Sequence, residues 1–203
     1  MVRTGFFFAA VPALAGGVLG WQGWWIPAAP LLGLAGFVLF FFRDPERAVP
    51  AEPGAIVAPA DGKVLAVEDT TVDGQPHTQV SIFLSIFDVH VNRAPIAGTI
   101  AAVRYRPGKF HIASTQRAGR ENERNEVVLE GDGARVIVRQ IAGLVARRIE
   151  FWKKTGDRVE RGQRLGMIRF GSRAEVVFDR RCRLQVRPGQ HVRAGSSILA
   201  IRE

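Results

Sequence analysis

From Thr4 to Phe42 the chain carries no charged residue, an uninterrupted run of about 39 positions. One membrane span takes about 20 apolar residues, so this run is too long for a single crossing and about right for two short ones. It reads as a helical hairpin with a first arm over Phe6–Gly20 and a second over Ile26–Phe42. The intervening Gly20-Trp-Gln-Gly-Trp-Trp25 supplies turn glycines and indoles that favour the bilayer interface. Arg3, Arg43 and Arg47 then fall on one side, which the positive-inside bias makes the cytoplasm, and the rest of the chain is expected to face it too. A secretory signal is the competing reading, but the apolar stretch outruns a signal and no small-residue cleavage site interrupts it. One arm spanning and the other lying in the interface remains open.

Beyond this run, residues 44–203 are enough for one compact domain with its own core. The chain holds 28 Lys and Arg against 19 Asp and Glu, a net charge of +9 that seeks anions. The basic residues are scattered among strand-like segments and no stacking aromatics interleave with them, which disfavours nucleic acid and favours an anionic lipid surface. The single cysteine, Cys182, excludes an internal disulfide framework and reads as an inert thiol on or near a strand.

After Asp44-Pro-Glu-Arg47 and the Pro50–Pro53 linker come short β-rich runs punctuated by glycine and proline. Strands are predicted over Lys63–Glu68, Gln79–Ile86, Thr99–Tyr105, Glu126–Glu130, Ala134–Ile141, Leu165–Phe170, Ala174–Phe178 and Ser197–Ile201. In the fifth, Val136 and Val138 share one face while Arg135 and Arg139 share the other, the period of a half-buried strand. A repeat is visible late in the chain: Gly156-Asp-Arg-Val-Glu-Arg-Gly-Gln-Arg-Leu165 recurs as Gly189-Gln-His-Val-Arg-Ala-Gly-Ser-Ser-Ile198. The pattern G-x-x-V-x-x-G-x-x-(L/I) resembles the hammerhead turns of biotinyl and lipoyl carrier domains. Between the repeats there is no lysine for a carrier to modify, so the likeness supports the scaffold and not the carrier function. The expected fold is a single mainly β domain with a hammerhead-like repeat, preceded by a transmembrane helical hairpin.

Three positions carry candidate chemistry. Gly171 precedes Ser172 at the end of a predicted strand; a glycine can take backbone angles closed to other residues and leaves its carbonyl open to the next hydroxyl. An attack of Ser172 Oγ on the Gly171 carbonyl would exchange the amide for an ester, and elimination would then release the upstream chain and leave a pyruvoyl cap. Most Gly-Ser pairs are simply turns. Asp61, in Ala58-Pro-Ala-Asp-Gly-Lys63, reads equally as a turn aspartate before glycine. His90, in Phe87-Asp-Val-His-Val-Asn-Arg-Ala-Pro95, is more often a satisfied histidine than a catalyst, yet serine activation needs a base and histidine is the usual one. His77 and His191 lie in turn sequences and have weaker claims, while His111 comes after Pro107-Gly-Lys-Phe110 and could touch substrate.

These fragments, with Phe41-Phe-Arg-Asp-Pro-Glu-Arg47, Asn122-Glu-Arg124 and Gln140-Ile-Ala-Gly-Leu-Val-Ala-Arg-Arg148, together resemble the short form of the phosphatidylserine decarboxylase family, in the same order and from about Phe41 to the end. The resemblance implies a membrane-attached proenzyme, with residues 1–43 as membrane hairpin and 44–203 as decarboxylase domain. Self-cleavage would leave a β subunit, 1–171, and an α subunit, 172–203. Ser172 matches the serine that becomes the pyruvoyl cofactor, Asp61 the aspartate of the Pro-Ala-Asp-Gly motif and His90 the histidine of the Asp-x-His stretch. The pyruvoyl ketone would condense with the substrate amine and accept the electrons released with carbon dioxide, without pyridoxal phosphate and without a metal. Phosphatidylserine in the bilayer is the implied substrate and phosphatidylethanolamine the product, with Lys109, His111 and Arg124 as candidate substrate-binding residues or, equally, solvated surface. Long forms have a second histidine where this chain has Arg93, and Leu-Gly-Ser-Thr where it has Phe170-Gly-Ser-Arg173. A homo-oligomer is left open, and no nucleic-acid partner is expected. The rivals are a noncatalytic membrane-tethered β-hammerhead adaptor, which has no use for Asp61, His90 and Ser172 together, and a Ser-His-Asp hydrolase on an intact chain, which lacks G-x-S-x-G.

Overall fold

The computed structural model describes residues 1–131, 133–144, 148–169 and 171–202 and divides them into two units, Met1–Glu46 and Arg47–Glu203.

The first unit is helical. α1 runs Arg3–Trp21 and α2 Trp25–Phe41, both apolar around the whole circumference. Small residues let them close on each other: a Cβ on Gly16 would stand 2.9 Å from Leu32 Cγ and 3.2 Å from the Ala28 carbonyl oxygen. α1 is long and apolar enough to cross a membrane, and the 17 residues of α2 are fewer. The first helix is thus the longer, against the sequence expectation of a short first arm, because it begins at Arg3 and not at Phe6.

The second unit is mainly β. In chain order its strands are β1 (Ala55–Val57), β2 (Gly62–Val72), β3 (Gln75–Leu84), β4 (Val91–Arg93), β5 (Gly98–Arg106), β6 (Arg124–Gly131), β7 (Ala134–Ile141), β8 (Ile149–Phe151), β9 (Arg158–Val159), β10 (Arg164–Ile168), β11 (Ser172–Asp179), β12 (Arg183–Leu184), β13 (His191–Val192) and β14 (Ile198–Ile201). One short helix, α3 (Gln116–Glu121), precedes β6; Thr115 caps it by accepting from the Ala118 N–H. An eight-stranded antiparallel sheet has the order β13-β2-β3-β11-β7-β6-β5-β9, and two three-stranded sheets have the orders β1-β14-β12 and β4-β10-β8.

The large sheet reads the same from either edge. The G-x-x-V-x-x-G repeats form β9 and β13, and each docks on a segment that is itself repeated: Ala94-Pro-Ile-Ala-Gly-Thr-Ile100 for the first, Ala58-Pro-Ala-Asp-Gly-Lys-Val64 for the second. Gly156 donates to the Ile100 carbonyl and Gly189 to that of Val64; Gly162 donates to Ala94 and Gly195 to Ala58, each at 2.8 Å. The register slips at matching places, between Val64 and Ala66 and between Ile100 and Ala102. The repeat glycines all have positive φ, which lets each turn approach its partner backbone. Val159 and Val192 are buried, as the repeat pattern predicts.

Between the sheets lies one apolar core in which Val80, Ile82 and Leu84 of β3, Val136 and Val138 of β7, and Ala174, Val176 and Phe178 of β11 meet. The opposite face of the large sheet is also covered, by a small cluster of Val128, Ile137 and Val177 at one end and by charged pairs at the other. The half-buried reading of β7 therefore holds for Val136 and Val138, while on its second face Arg135 is exposed, Arg139 partly buried and Ile137 buried. Phe178→Ala should lower the stability of the full chain by about 3–5 kcal/mol, through lost burial and a residual cavity, in a denaturant titration of the detergent-solubilised protein.

Candidate active site

Ser172 begins a strand that hydrogen-bonds on both sides. Along β11, Ser172 pairs with Leu84 of β3 and Arg173 with both Phe83 of β3 and Ile141 of β7. The hydroxyl is buried and has no hydrogen-bond partner among the described residues. A buried polar group left unpaired costs about 1–3 kcal/mol, so its position calls for a compensating use. Directly before it, Gly171 sits at φ +59°, the left-handed region; a Cβ there would meet no neighbour, so backbone conformation and not space selects glycine. Phe170 lies outside the described residues. The fold repeats this glycine position in its other half, where Gly133, at φ +69° between the hairpin-paired β6 and β7, precedes Ala134 at the start of β7. The architecture supplies the left-handed glycine twice and the hydroxyl once.

His90 reaches the same corner by way of two nested loops. Leu84, the partner of Ser172, is the last residue of β3, which ends there and not at Ile86 because Ser85–Asp88 forms a turn: the Ser85 N–H and Oγ both donate to Asp88 Oδ2, at 2.8 and 2.7 Å. His90 comes after that turn, and its carbonyl accepts from Ile168 N–H at 3.3 Å, at the end of β10 that leads to Gly171. The histidine lies between a turn and the short β4. It is fully buried, and its Nδ1 lies 2.9 Å from the Asp88 carbonyl. A carbonyl can only accept, so Nδ1 carries the proton and the lone pair of the neutral ring sits on Nε2.

Asp61 stands in the turn against β4, where the Pro59 carbonyl accepts from Arg93 N–H at 2.8 Å. Its Oδ2 is 2.6 Å from Arg47 Nη2, and Oδ1 accepts from Ala194 N–H at 2.8 Å. These are the bonds the structure gives its carboxylate; they run to Arg47 and Ala194 and not to His90. Burial is the largest influence on Asp61 and raises its pKa, with Asp88 adding to the rise and Ala194 and Arg47 opposing it. In the repeated segment the corresponding residue is Ala97, so only one copy of the turn carries a carboxylate.

Other polar residues join this corner. Gln140 Nε2 donates to Asn92 Oδ1 at 2.8 Å, and Asn125 Nδ2 donates to Gln140 Oε1 at 3.1 Å, a buried chain across β4, β7 and β6. Asn122 is buried and binds the backbone of His111 and Ala142. Sequence patterns assign these residues no role; amide side chains among apolar runs are the signal that could have found them. Arg47, a membrane-flanking charge by sequence, is the ion-pair partner of Asp61. Arg93 is buried and donates to the Gly162 carbonyl at 3.1 Å. Lys109 and His111 both engage Glu121 Oε2, at 3.0 and 3.2 Å, and lower its pKa, while Arg124 donates to the Gly119 carbonyl. Of the Gln140–Arg148 stretch, residues 145–147 lie outside the described residues.

A buried serine after a left-handed glycine, with a histidine and an aspartate carried on neighbouring loops, makes up the candidate site. The model of the phosphatidylserine decarboxylase family matches residues 34–200. The chain belongs to that family. It is 50% identical to the phosphatidylserine decarboxylase proenzyme of Solibacter usitatus, over 100% of this chain and 97% of that one. It is 48% identical to the proenzyme of Symbiobacterium thermophilum, over 98% and 94%, and 46% identical to that of Ruegeria pomeroyi, over 95% and 89%.

The Asp61 shift gives a signed expectation. A carboxyl whose pKa is raised on folding stabilises fully below its ordinary value of 3.8 and loses that contribution as pH climbs through the folded pKa. Asn does not titrate. The stability of Asp61→Asn relative to wild type should therefore increase as pH rises from below 3.8, read as the difference in denaturant midpoints; a difference that falls as pH rises would contradict the burial argument.

Proposed function

We propose that this chain is made as a precursor that severs itself between Gly171 and Ser172 and then converts phosphatidylserine to phosphatidylethanolamine. The observation that carries the reading is the buried, unpartnered Ser172 hydroxyl beside a left-handed Gly171, in a chain whose relatives are named as proenzymes. His90 takes the Ser172 proton at Nε2, its ring oriented by the Asp88 carbonyl. Ser172 Oγ attacks the Gly171 carbonyl, and the amide nitrogen leaves to give an ester. Loss of the Ser172 α-proton expels the Gly171 carboxylate, and water replaces the nitrogen of the resulting dehydroalanine as ammonia, leaving a pyruvoyl at residue 172. Asp61, held by Arg47 and Ala194, supplies negative charge that favours the protonated histidine.

The residues present suit that group: Ser172 pairs with Leu84 and the next residue, Arg173, pairs on both sides, so the strand start stays held when the bond to Gly171 breaks. Once formed, the pyruvoyl supplies an electrophilic carbonyl and an electron sink for decarboxylation. His90 then protonates the substrate carbon that has lost carbon dioxide, and Lys109, His111 and Arg124 receive the headgroup phosphate. Ile86 and Phe87, exposed on the turn before His90, give the site an apolar rim suited to a bilayer. α1 and α2 serve as the transmembrane hairpin, with the catalytic unit on the cytoplasmic side, and the paired repeats form a hammerhead-like scaffold that keeps α and β subunits together.

Mass spectrometry of the purified protein should find two chains, the smaller beginning at a blocked residue 172. Ser172→Ala should stay full length and lose decarboxylase activity by more than about 10³-fold, and His90→Ala should slow the cut by roughly 10²–10⁴-fold. A wild type that is uncut and fully active would end this reading, as would a Ser172→Ala variant that still divides.

A further inference from the structure

On the charged face of the large sheet, Arg173 turns away from the core that holds its neighbours on β11. Its side chain is 7% exposed; Nη2 reaches Ser81 Oγ at 2.7 Å and Glu175 Oε1 at 2.9 Å, and Nη1 reaches the Thr115 carbonyl. The buried Nε has no hydrogen-bond partner among the described residues. α3 lies over this group so closely that a Cβ on Gly119 would stand 3.1 Å from Glu175 Oε1 and 3.4 Å from Arg173 Cζ. Next to it, Arg139 donates to Glu126 Oε2 at 2.8 Å and lies 3.6 Å from Glu175 Oε2.

Between α3 and the sheet opens a pocket of about 460 Å³ lined by four arginines, Arg120, Arg124, Arg139 and Arg173, against the carboxylates of Glu68 and Glu175. Glu126 and Glu175 answer Arg139 and Arg173. Arg120 and Arg124 have no carboxylate within ion-pair distance among the described residues, and Arg124 is tethered only to the Gly119 carbonyl. Partial burial and the neighbouring Arg139 and Arg106 work against the charge on Arg124 and lower its pKa, with Glu126 and Glu175 opposing them to a lesser degree. Cations gathered in a part-dry recess repel one another, and an anion between them relieves the repulsion. A guanidinium fork matches the oxygens of a tetrahedral oxyanion better than the point charge of an ammonium does.

We propose that this pocket binds a phosphate-type oxyanion, gripped by Arg120 and Arg124 and backed by the buried charge of Arg173. Free phosphate and the phosphodiester of a lipid headgroup share that chemistry. Because Arg173 comes directly after Ser172 on β11, an occupied pocket also holds the start of the strand that carries the reacting residue. Such a site extends the expectation for Arg124, and its test reads binding and not turnover, so it can fail while the proposed reaction stands.

The test uses the full-length protein in nonionic detergent and compares R120Q/R124Q with wild type. Melting temperature is measured with inorganic phosphate and, separately, with dihexanoyl phosphatidylglycerol, each against chloride at equal ionic strength. Near ten times the dissociation constant the wild type should gain about 3–6 °C, and the double variant should keep less than half of that gain. A gain with the lipid alone assigns the site to a headgroup, and a gain with phosphate shows that the free anion suffices. A wild type indifferent to both probes, or a double variant that keeps half or more of the gain, overturns the site.

Discussion

β11 is hydrogen-bonded along most of its length to β3 on one side and β7 on the other, and this double ladder decides where every residue near the site can lie. A one-residue slip would turn Ala174, Val176 and Phe178 out of the core and Arg173 and Glu175 into it, a cost large enough to exclude the alternative register. With the register fixed, the Ser172 side chain is on the buried face of β11, with Ala174, Val176 and Phe178. The turn before it must cross from β10 to β11, two strands of different sheets, and the left-handed Gly171 is part of how it does so.

The internal duplication explains which features belong to the scaffold and which to the chemistry. Both halves have the same docked turns, the same slips in register and a positive-φ glycine before a central strand. They differ in side chains: Asp61 against Ala97, and Ser172 against Ala134. Folding accounts for the shared part. The differences fall on two residues of the candidate site, and the buried Asp61 carries a desolvation cost that its Arg47 and Ala194 contacts oppose.

Much of the fold is legible in the sequence because burial and period agree: all eight predicted strands exist, with ends shifted by a few residues. The two- and three-residue strands β1, β4, β8, β9, β12 and β13 escape sequence reading because too few residues alternate in them and pairing with distant segments defines them. The late glycine repeat is visible, whereas its partner, Ala58–Val64 against Ala94–Ile100, is hidden because only the alanine, proline, glycine and a final β-branched residue are shared. Ser172, His90 and Asp61 can be named from motifs, but their nesting depends on the Ser85–Asp88 turn and on the Ile168 contact to His90, which no local pattern encodes. Arg47 looks like only a flanking charge because its ion pair to Asp61 spans a linker whose path the sequence does not reveal.

The central claim is that the Gly171 amide becomes an ester on Ser172 before the chain parts, and hydroxylamine tests it most directly because it attacks esters far faster than amides. Added to uncut precursor, it should accelerate cleavage and yield an upstream chain ending in the Gly171 hydroxamate with a downstream chain beginning at an unmodified serine. Products and rate unchanged by hydroxylamine, or a hydroxamate at any other residue, would contradict the account.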